Sequence, residues 1–304
     1  MGSRNHMGLE DNDLPGFWRC ADNTSIKAQK TVLLLVKLRF FGLIFAALLG
    51  VIASVTSWKF ISILISVCFL MILLVEALEM HLQPNQNWYS GRALAESAKT
   101  LAWRFAVCGA PFDKDLSPSE AKKLLRERID EVSKEASDKI IIDSDHPIVT
   151  EAMVKLRQSS FEERKKAYIS QRLENQYVWY ANKAKWNQKR ATYWKIILIT
   201  GEFLATGIAG SQYIGLIPIN IAGLLSTIVG CASTWIAVKQ FSNLASAYSI
   251  TASELAILKS KIEDITDPDK WAIEVDDAEE AISREHTLWL ASRIGRIPAR
   301  SKKP

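Results

Sequence analysis

Two apolar blocks limit what this chain can fold into more than any other feature. The first runs from Phe40 to Met80 and reads FFGLIFAALLGVIASVTSWKFISILISVCFLMILLVEALEM. Residues 40–57 carry no charge, and after Ser57-Trp58-Lys59 neither do residues 60–75. Each run is about 16–18 residues long, and flanking residues extend it to the roughly 20 that a helix needs to cross a bilayer. Neither run has the polar face of a helix half-buried in a soluble core. The second block extends from Trp194 to Val238. Gly210, Ser211 and Gly215 mark a turn within it, and Pro218 suits the first position of the next helix. Spans three and four are therefore expected at about 195–213 and 217–238. Hydrophobic residues make up 48% of the 304, an ordinary share, so their concentration in two blocks is what argues for a membrane protein.

Lysine and arginine set the expected orientation. Lys27, Lys30, Lys37 and Arg39 precede span one. Arg92, Lys99, Arg104, Lys183, Lys185, Lys189, Arg190 and Lys195 lie between the blocks, and Lys239 follows span four. The short turns hold only Lys59. The positive-inside rule then puts both termini and the middle segment in the cytoplasm. The net charge of +5 reads as topology and as attraction to an anionic leaflet, with no call for nucleic acid. The expected fold is an all-α membrane protein with four transmembrane helices as two hairpins, and long helices extending into a cytoplasmic helical bundle.

Residues 1–7 read as a vector remnant, and no secretory signal follows. With the N-terminal segment to 30, the expected divisions are a first two-span module at 31–113, a helical linker at 114–160, a second module at 161–292 and a basic tail at 293–304. Ser117-Pro118 with Glu120, and Ser160 with Glu163, are capping signals that start helices. From Phe161 no breaker occurs until Gly201, so one helix is expected to rise from the cytosol into span three, some fifty residues or roughly 75 Å long. Its aromatic residues at 168, 177, 179, 180, 186, 193 and 194 suit either a packed stripe or a base-stacking surface. After Asp267-Pro268 an amphipathic helix is expected, with Ala278, Ile282, Leu288 and Trp289 packing and Asp276, Asp277, Glu279 and Glu280 favouring its dipole.

Each hairpin is followed by a polar helix with a central acid, YSGRALAESAKTLAWR after the first and AYSITASELAILKSKI after the second. The four cysteines form no CxxC pair and the histidines are scattered, so no metal site or disulfide framework is expected. Without a nucleophile–base pair or a glycine-rich phosphate loop, neither an enzyme nor a cofactor is expected.

These stretches resemble the SLATT family, two-span effector domains of bacterial nucleotide-signalling conflict systems, in a form with two modules in tandem over about 30–295. The first module is carried by the hairpin with Trp88-Tyr89-Ser90-Gly91-Arg92, Glu96-Ser97, Trp103-Arg104-Phe105 and Pro111-Phe112. The second is carried by Tyr168, Arg172-Leu173, Asn175-Gln176, Trp179-Tyr180, Lys183-Ala184, Glu285-His286 and Trp289. The resemblance implies a pore-forming effector in the bacterial inner membrane, triggered by a separate nucleotide sensor or synthase. It brings no catalytic residue with it.

The spans themselves offer candidate residues. Gly42, Ala46, Gly50 and Ser54 recur every fourth residue and let another helix approach closely. In span four Asn220, Gly223, Thr227, Gly230 and Thr234 share one face, as either a packing seam or a pore wall. Glu202 lies inside span three, with Thr206 and Tyr213 on nearly the same face. A charge there costs on the order of 2.5–3.5 kcal/mol. Three readings fit it: a water-facing ring in a homo-oligomeric pore, an ion pair to Lys37 or Arg39, and a protonated acid bonded to Asn220. An acidic ring favours cations, and Glu76 and Glu79 would form a second one at the cytoplasmic mouth. The alternative is a non-conducting helical scaffold anchored in the bilayer to recruit partners.

Overall fold

The computed structural model describes residues 8–135, 147–219 and 221–294 and, beyond Ser283, the backbone alone. Among the described residues every regular element is helical. A 3₁₀ turn at Asp11–Asp13 precedes α1 (Gly16–Val55), α2 (Phe60–Leu82), α3 (Pro84–Ala106), α4 (Pro118–Glu135), α5 (Glu151–Gln158) and α6 (Phe161–Ala167). A π-helical turn, Tyr168–Leu173, leads into α7 (Glu174–Tyr213), followed by α8 (Ala222–Lys239), α9 (Phe241–Glu263) and α10 (Pro268–Ile294).

The tandem repeat is explicit at the level of elements. α1 and α7 are both 40 residues long, and α3 and α9 are both 23. In each half the second apolar helix ends on a glutamine in the left-handed region, Gln83 (φ 45°) and Gln240 (φ 50°). Each glutamine's N–H donates to the carbonyl four residues back, on Glu79 and Ile236, closing the helix while the chain turns directly into the next one. The break between α1 and α2 falls at the expected Ser57-Trp58-Lys59.

The chain forms two compact units. One comprises residues 1–28, 85–184 and 246–304, and the other residues 29–84 and 185–245. In the first unit Ala98, Ala102, Trp103, Phe105 and Phe112 are buried with Leu125, Met153, Leu156, Tyr168, Leu255 and Trp271. α1 begins at Gly16, well before the apolar run, because its first turns have a tertiary partner: Phe17 and Ala21 are buried, and α3 packs so closely that a Cβ on Gly91 would meet the Ala21 carbonyl at 3.0 Å. α4 starts where Ser117 and Glu120 form their reciprocal cap, and α6 where Ser160 and Glu163 do. α5 was not expected. Thr150 caps it by accepting from the Met153 N–H and donates to the Asp13 carbonyl, and Met153 and Leu156 are buried.

Three further expectations need correction. The long helix from Phe161 is helical throughout, but it winds as a π-helix from Tyr168 to Leu173. Pro218 does not begin a helix: α8 starts at Ala222, after a turn that holds Gly215 at φ 78° and is tied by the Gln212 side chain donating to the Ile219 carbonyl. α10 begins at Pro268, with Asp269 as the acid of its first turn, so Asp276, Asp277, Glu279 and Glu280 lie further along.

Three helical segments of the described residues are long and apolar enough to cross a membrane: Gly16–Val55, Phe60–Ala106 and Ala222–Glu263. The expected third span is helical as part of α7 but is not among them, because Glu202 and the run of Gly201, Gly207, Gly210 and Ser211 dilute its apolar character.

Candidate functional site

Within the second unit, the first hairpin closes on small residues. A Cβ on Gly42 would come within 2.9 Å of Ile72 and 2.6 Å of the Met71 methyl, so α1 and α2 meet there in van der Waals contact. Ala46, Leu49, Ile61 and Cys68 continue the seam. The second hairpin repeats the device: a Cβ on Gly201 would lie 3.0 Å from Val229. Ile72 stands eleven residues before Gln83, and Val229 eleven before Gln240. The four-residue stripe of α1 therefore divides. Gly42 and Ala46 face the partner helix, whereas Gly50 has nothing within 4 Å and, with Ser54, lines an open cleft of about 310 Å³ with Ala47, Val51, Gly223 and Leu224.

Glu76 and Glu79 face the first span. Arg39 Nη2 donates to Glu79 Oε2 at 2.6 Å, and Arg39 Nε lies 3.6 Å from Glu76 Oε1. The trio carries one net negative charge. Arg39 is thereby engaged away from Glu202. Glu202 itself is exposed on α7 and makes no ion pair among the described residues. Thr206, Thr227 and Thr234 are bonded within their own helices, their hydroxyls donating to the carbonyls of Glu202, Gly223 and Gly230 at 2.8–2.9 Å. Asn220 lies outside the described residues. Nearer the other end of these helices an aromatic group forms: Trp235 meets Phe40 and Trp194 at centroid distances of 6.4 Å, and Lys239 sits 5.0 Å over its ring. Trp186 meets Phe241 at 6.0 Å, and the Arg190 guanidinium sits 5.2 Å over the Trp186 ring. Rings and cations of this kind suit a membrane–water boundary.

The first unit contains a buried ionic network that the sequence reading missed. Arg172, in the π-helical turn, is 1% exposed and Glu279, on α10, is 0% exposed. Two donors of the guanidinium reach the carboxylate, Nε to Oε1 at 2.8 Å and Nη2 to Oε2 at 2.6 Å. Tyr168 donates to Oε1 and Thr100 of α3 to Oε2, both at 3.0 Å. Burial alone disfavours the arginine's charge, but the Glu279 carboxylate more than offsets it and holds the guanidinium above its ordinary range. Burial first, and Glu279 second, push the Tyr168 phenol well above its usual value. Among the described residues Arg172 Nη1 has no hydrogen-bond partner. Trp103 and Trp271 enclose Tyr168, with ring centroids 6.0 and 5.7 Å away. Arg104 adds a second link between α3 and α10, 2.7 Å from Asp276. Trp179, Tyr180 and Tyr248 form a third ring cluster, so much of the aromatic stripe on the long helix is occupied by neighbouring rings.

This architecture of two matched halves agrees with comparison against known families. SMODS and SLOG-associating 2TM effector domain 3 (SLATT_3) matches residues 15–165, and SMODS and SLOG-associating 2TM effector domain 1 (SLATT_1) matches residues 168–289. The chain is a tandem SLATT-domain protein. Comparison with curated proteins and with solved structures gives no match. SLATT domains are membrane effector domains, in keeping with the apolar helices of this chain. The buried network joins the two domains: Thr100 belongs to the SLATT_3 range, and Tyr168, Arg172 and Glu279 to the SLATT_1 range. Tyr168 and Arg172 were legible as family residues; their partnership with Glu279 was not. The resemblance at Glu285, His286 and Trp289 falls on side chains outside those described.

Proposed function

We propose that this SLATT protein is a conflict-system effector of the bacterial inner membrane that assembles from several copies into a cation-preferring pore. Both termini face the cytoplasm on this reading, α7 supplies a fourth span, and a separate nucleotide sensor or synthase supplies the trigger. The protein catalyses no reaction; it lets ions through. The observation that carries the reading is Glu202. It stands exposed on an otherwise apolar stretch of α7 with no ion-pair partner among the described residues. A carboxylate at that depth is costly against lipid, so water or another copy must cover it. A ring of such carboxylates attracts cations. The paired acids at Glu76 and Glu79 retain one net negative charge beside Arg39 and would add to the same preference.

The scaffold reading has its own supporting observation. Thr206, Thr227 and Thr234 are satisfied within their helices, so none of these hydroxyls requires a water-filled lumen. Reversal potentials in planar bilayers under a potassium chloride gradient separate the two. The pore reading predicts conductance with a potential near that of potassium and a shift toward zero in Glu202→Gln. A preference unchanged in that variant removes Glu202 from the pathway, and conductance from neither protein favours the scaffold.

A further inference from the structure

A basic cleft lies in the first unit, where α4, α5 and α6 meet the loop after α3. It opens in two adjoining parts, of about 190 Å³ and about 320 Å³, which share Lys122, Val154 and Gln158. Four cations line the smaller part, Lys114, Lys122, Arg157 and Arg164, and Phe105 and Leu116 add apolar wall. No carboxylate is among its described lining residues. The larger part adds Arg126 and Lys155, with Glu151 as its one acid among the described residues.

These cations are gathered without the partners that other arginines of the chain have. Arg39, Arg104 and Arg172 each face a carboxylate. Arg157 instead spends its donors on carbonyls: Nη1 donates to those of Phe105 and Phe112 at 3.0 and 2.7 Å, and Nη2 to that of Asp113 at 2.8 Å. Arg164 Nη1 donates to the carbonyls of Arg157 and Ser159. Its buried Nε has no hydrogen-bond partner among the described residues. Of the six cations only Lys114 is in an ion pair among the described residues, 3.4 Å from Asp269. Acids close by in the sequence are engaged elsewhere: Asp130 with Lys134, Glu120 in the Ser117 cap and Glu163 in the Ser160 cap. Burial, the largest influence, holds the Arg157 guanidinium below its ordinary range; Arg164 acts in the same direction, and Cys108 and Asp113 act against it. The carbonyls thus fix two guanidinium groups in place and leave their charge for a ligand. An arginine fork matches phosphate oxygens, and lysine adds a point charge. A monovalent anion would leave most of this charge unanswered, whereas a phosphate group carries more than one.

We propose that this cleft binds a phosphate-bearing anion, with Lys122, Arg157 and Arg164 as its central cations. Soluble phosphate compounds and lipid headgroups present the same chemistry to it. Isothermal titration of inorganic pyrophosphate into the full-length protein in phosphatidylcholine nanodiscs tests the site. Lys123→Glu changes the net charge as much as Lys122→Glu does, but at a side chain paired with Glu127 and outside the cleft lining, and so serves as the control. The parent and the control are expected to bind alike, and Lys122→Glu to bind about tenfold more weakly or worse. The unliganded Lys122→Glu protein is expected to melt no lower than the parent, because its change relieves like charge. No binding by the parent, undiminished affinity in Lys122→Glu, or an equal loss in Lys123→Glu would overturn the proposal. Nanodiscs containing phosphatidic acid, compared with nanodiscs given the same charge by oleate, distinguish the sources. Weaker pyrophosphate binding with phosphatidic acid assigns the headgroup, and equal binding in the two assigns a soluble compound. A parent that binds pyrophosphate but conducts nothing would leave the site standing and remove the pore.

Discussion

At the scale of single residues, Glu279 bears the most. Its carboxylate answers a guanidinium, a phenol and a threonine hydroxyl in a place water does not reach. Removing one side of such a pair leaves the other charge buried alone, at a cost of about 3–5 kcal/mol. Glu279→Leu and Arg172→Met are each expected to lower the midpoint of thermal unfolding steeply, and the double variant by less than the sum of the two. An additive double variant would mean that the pair is not coupled. The glycines make a second test. Gly42→Leu must push Met71 and Ile72 aside and is expected to cost about 1–3 kcal/mol. A Cβ on Gly50 would meet nothing within 4 Å among the described residues, so Gly50→Leu extends into the open cleft and should leave the chain's stability unchanged. Equal unfolding midpoints for the two variants would contradict the packing described for the first hairpin.

At the scale of elements, the caps give a dependence on pH. Hydrogen bonds from the Ser160 backbone and then its hydroxyl hold the Glu163 carboxyl below its ordinary value of 4.5. A depressed folded value means that the contribution is full above the ordinary value and fades as pH falls through the folded one. Glu163→Gln should therefore melt below the parent at about pH 6, with the gap closing at about pH 3. A gap that stays constant across that range would exclude the cap as its source. These caps were legible in the sequence because they are local: a serine and a glutamate three residues on are enough. The break at Ser57-Trp58-Lys59 was legible for the same reason. The early start of α1 was not, because its polar first turns are held by α3, far along the chain. α5 was hidden because eight residues with two buried side chains carry too little periodicity. The π-helical turn and the role of Glu279 were hidden because an exposed and a buried glutamate look alike until Arg172, Tyr168 and Thr100 surround one of them.

At the scale of the whole molecule, two SLATT domains repeat one plan: a long helix, a return helix ending on a left-handed glutamine, and a third helix of 23 residues. The network of Thr100, Tyr168, Arg172 and Glu279 lies at the junction of the two matched ranges, so the domains fold as partners. The sequence alone showed the apolar blocks and the odd carboxylate at Glu202. What covers that carboxylate was not legible, since on the pore reading its cover is water or another copy. The most direct measurement is potassium efflux from liposomes carrying the assembled parent protein. The pore reading predicts efflux that rises with the number of assemblies per liposome and falls in Glu202→Gln. Liposomes that stay tight to potassium while the assemblies within them remain intact would contradict it.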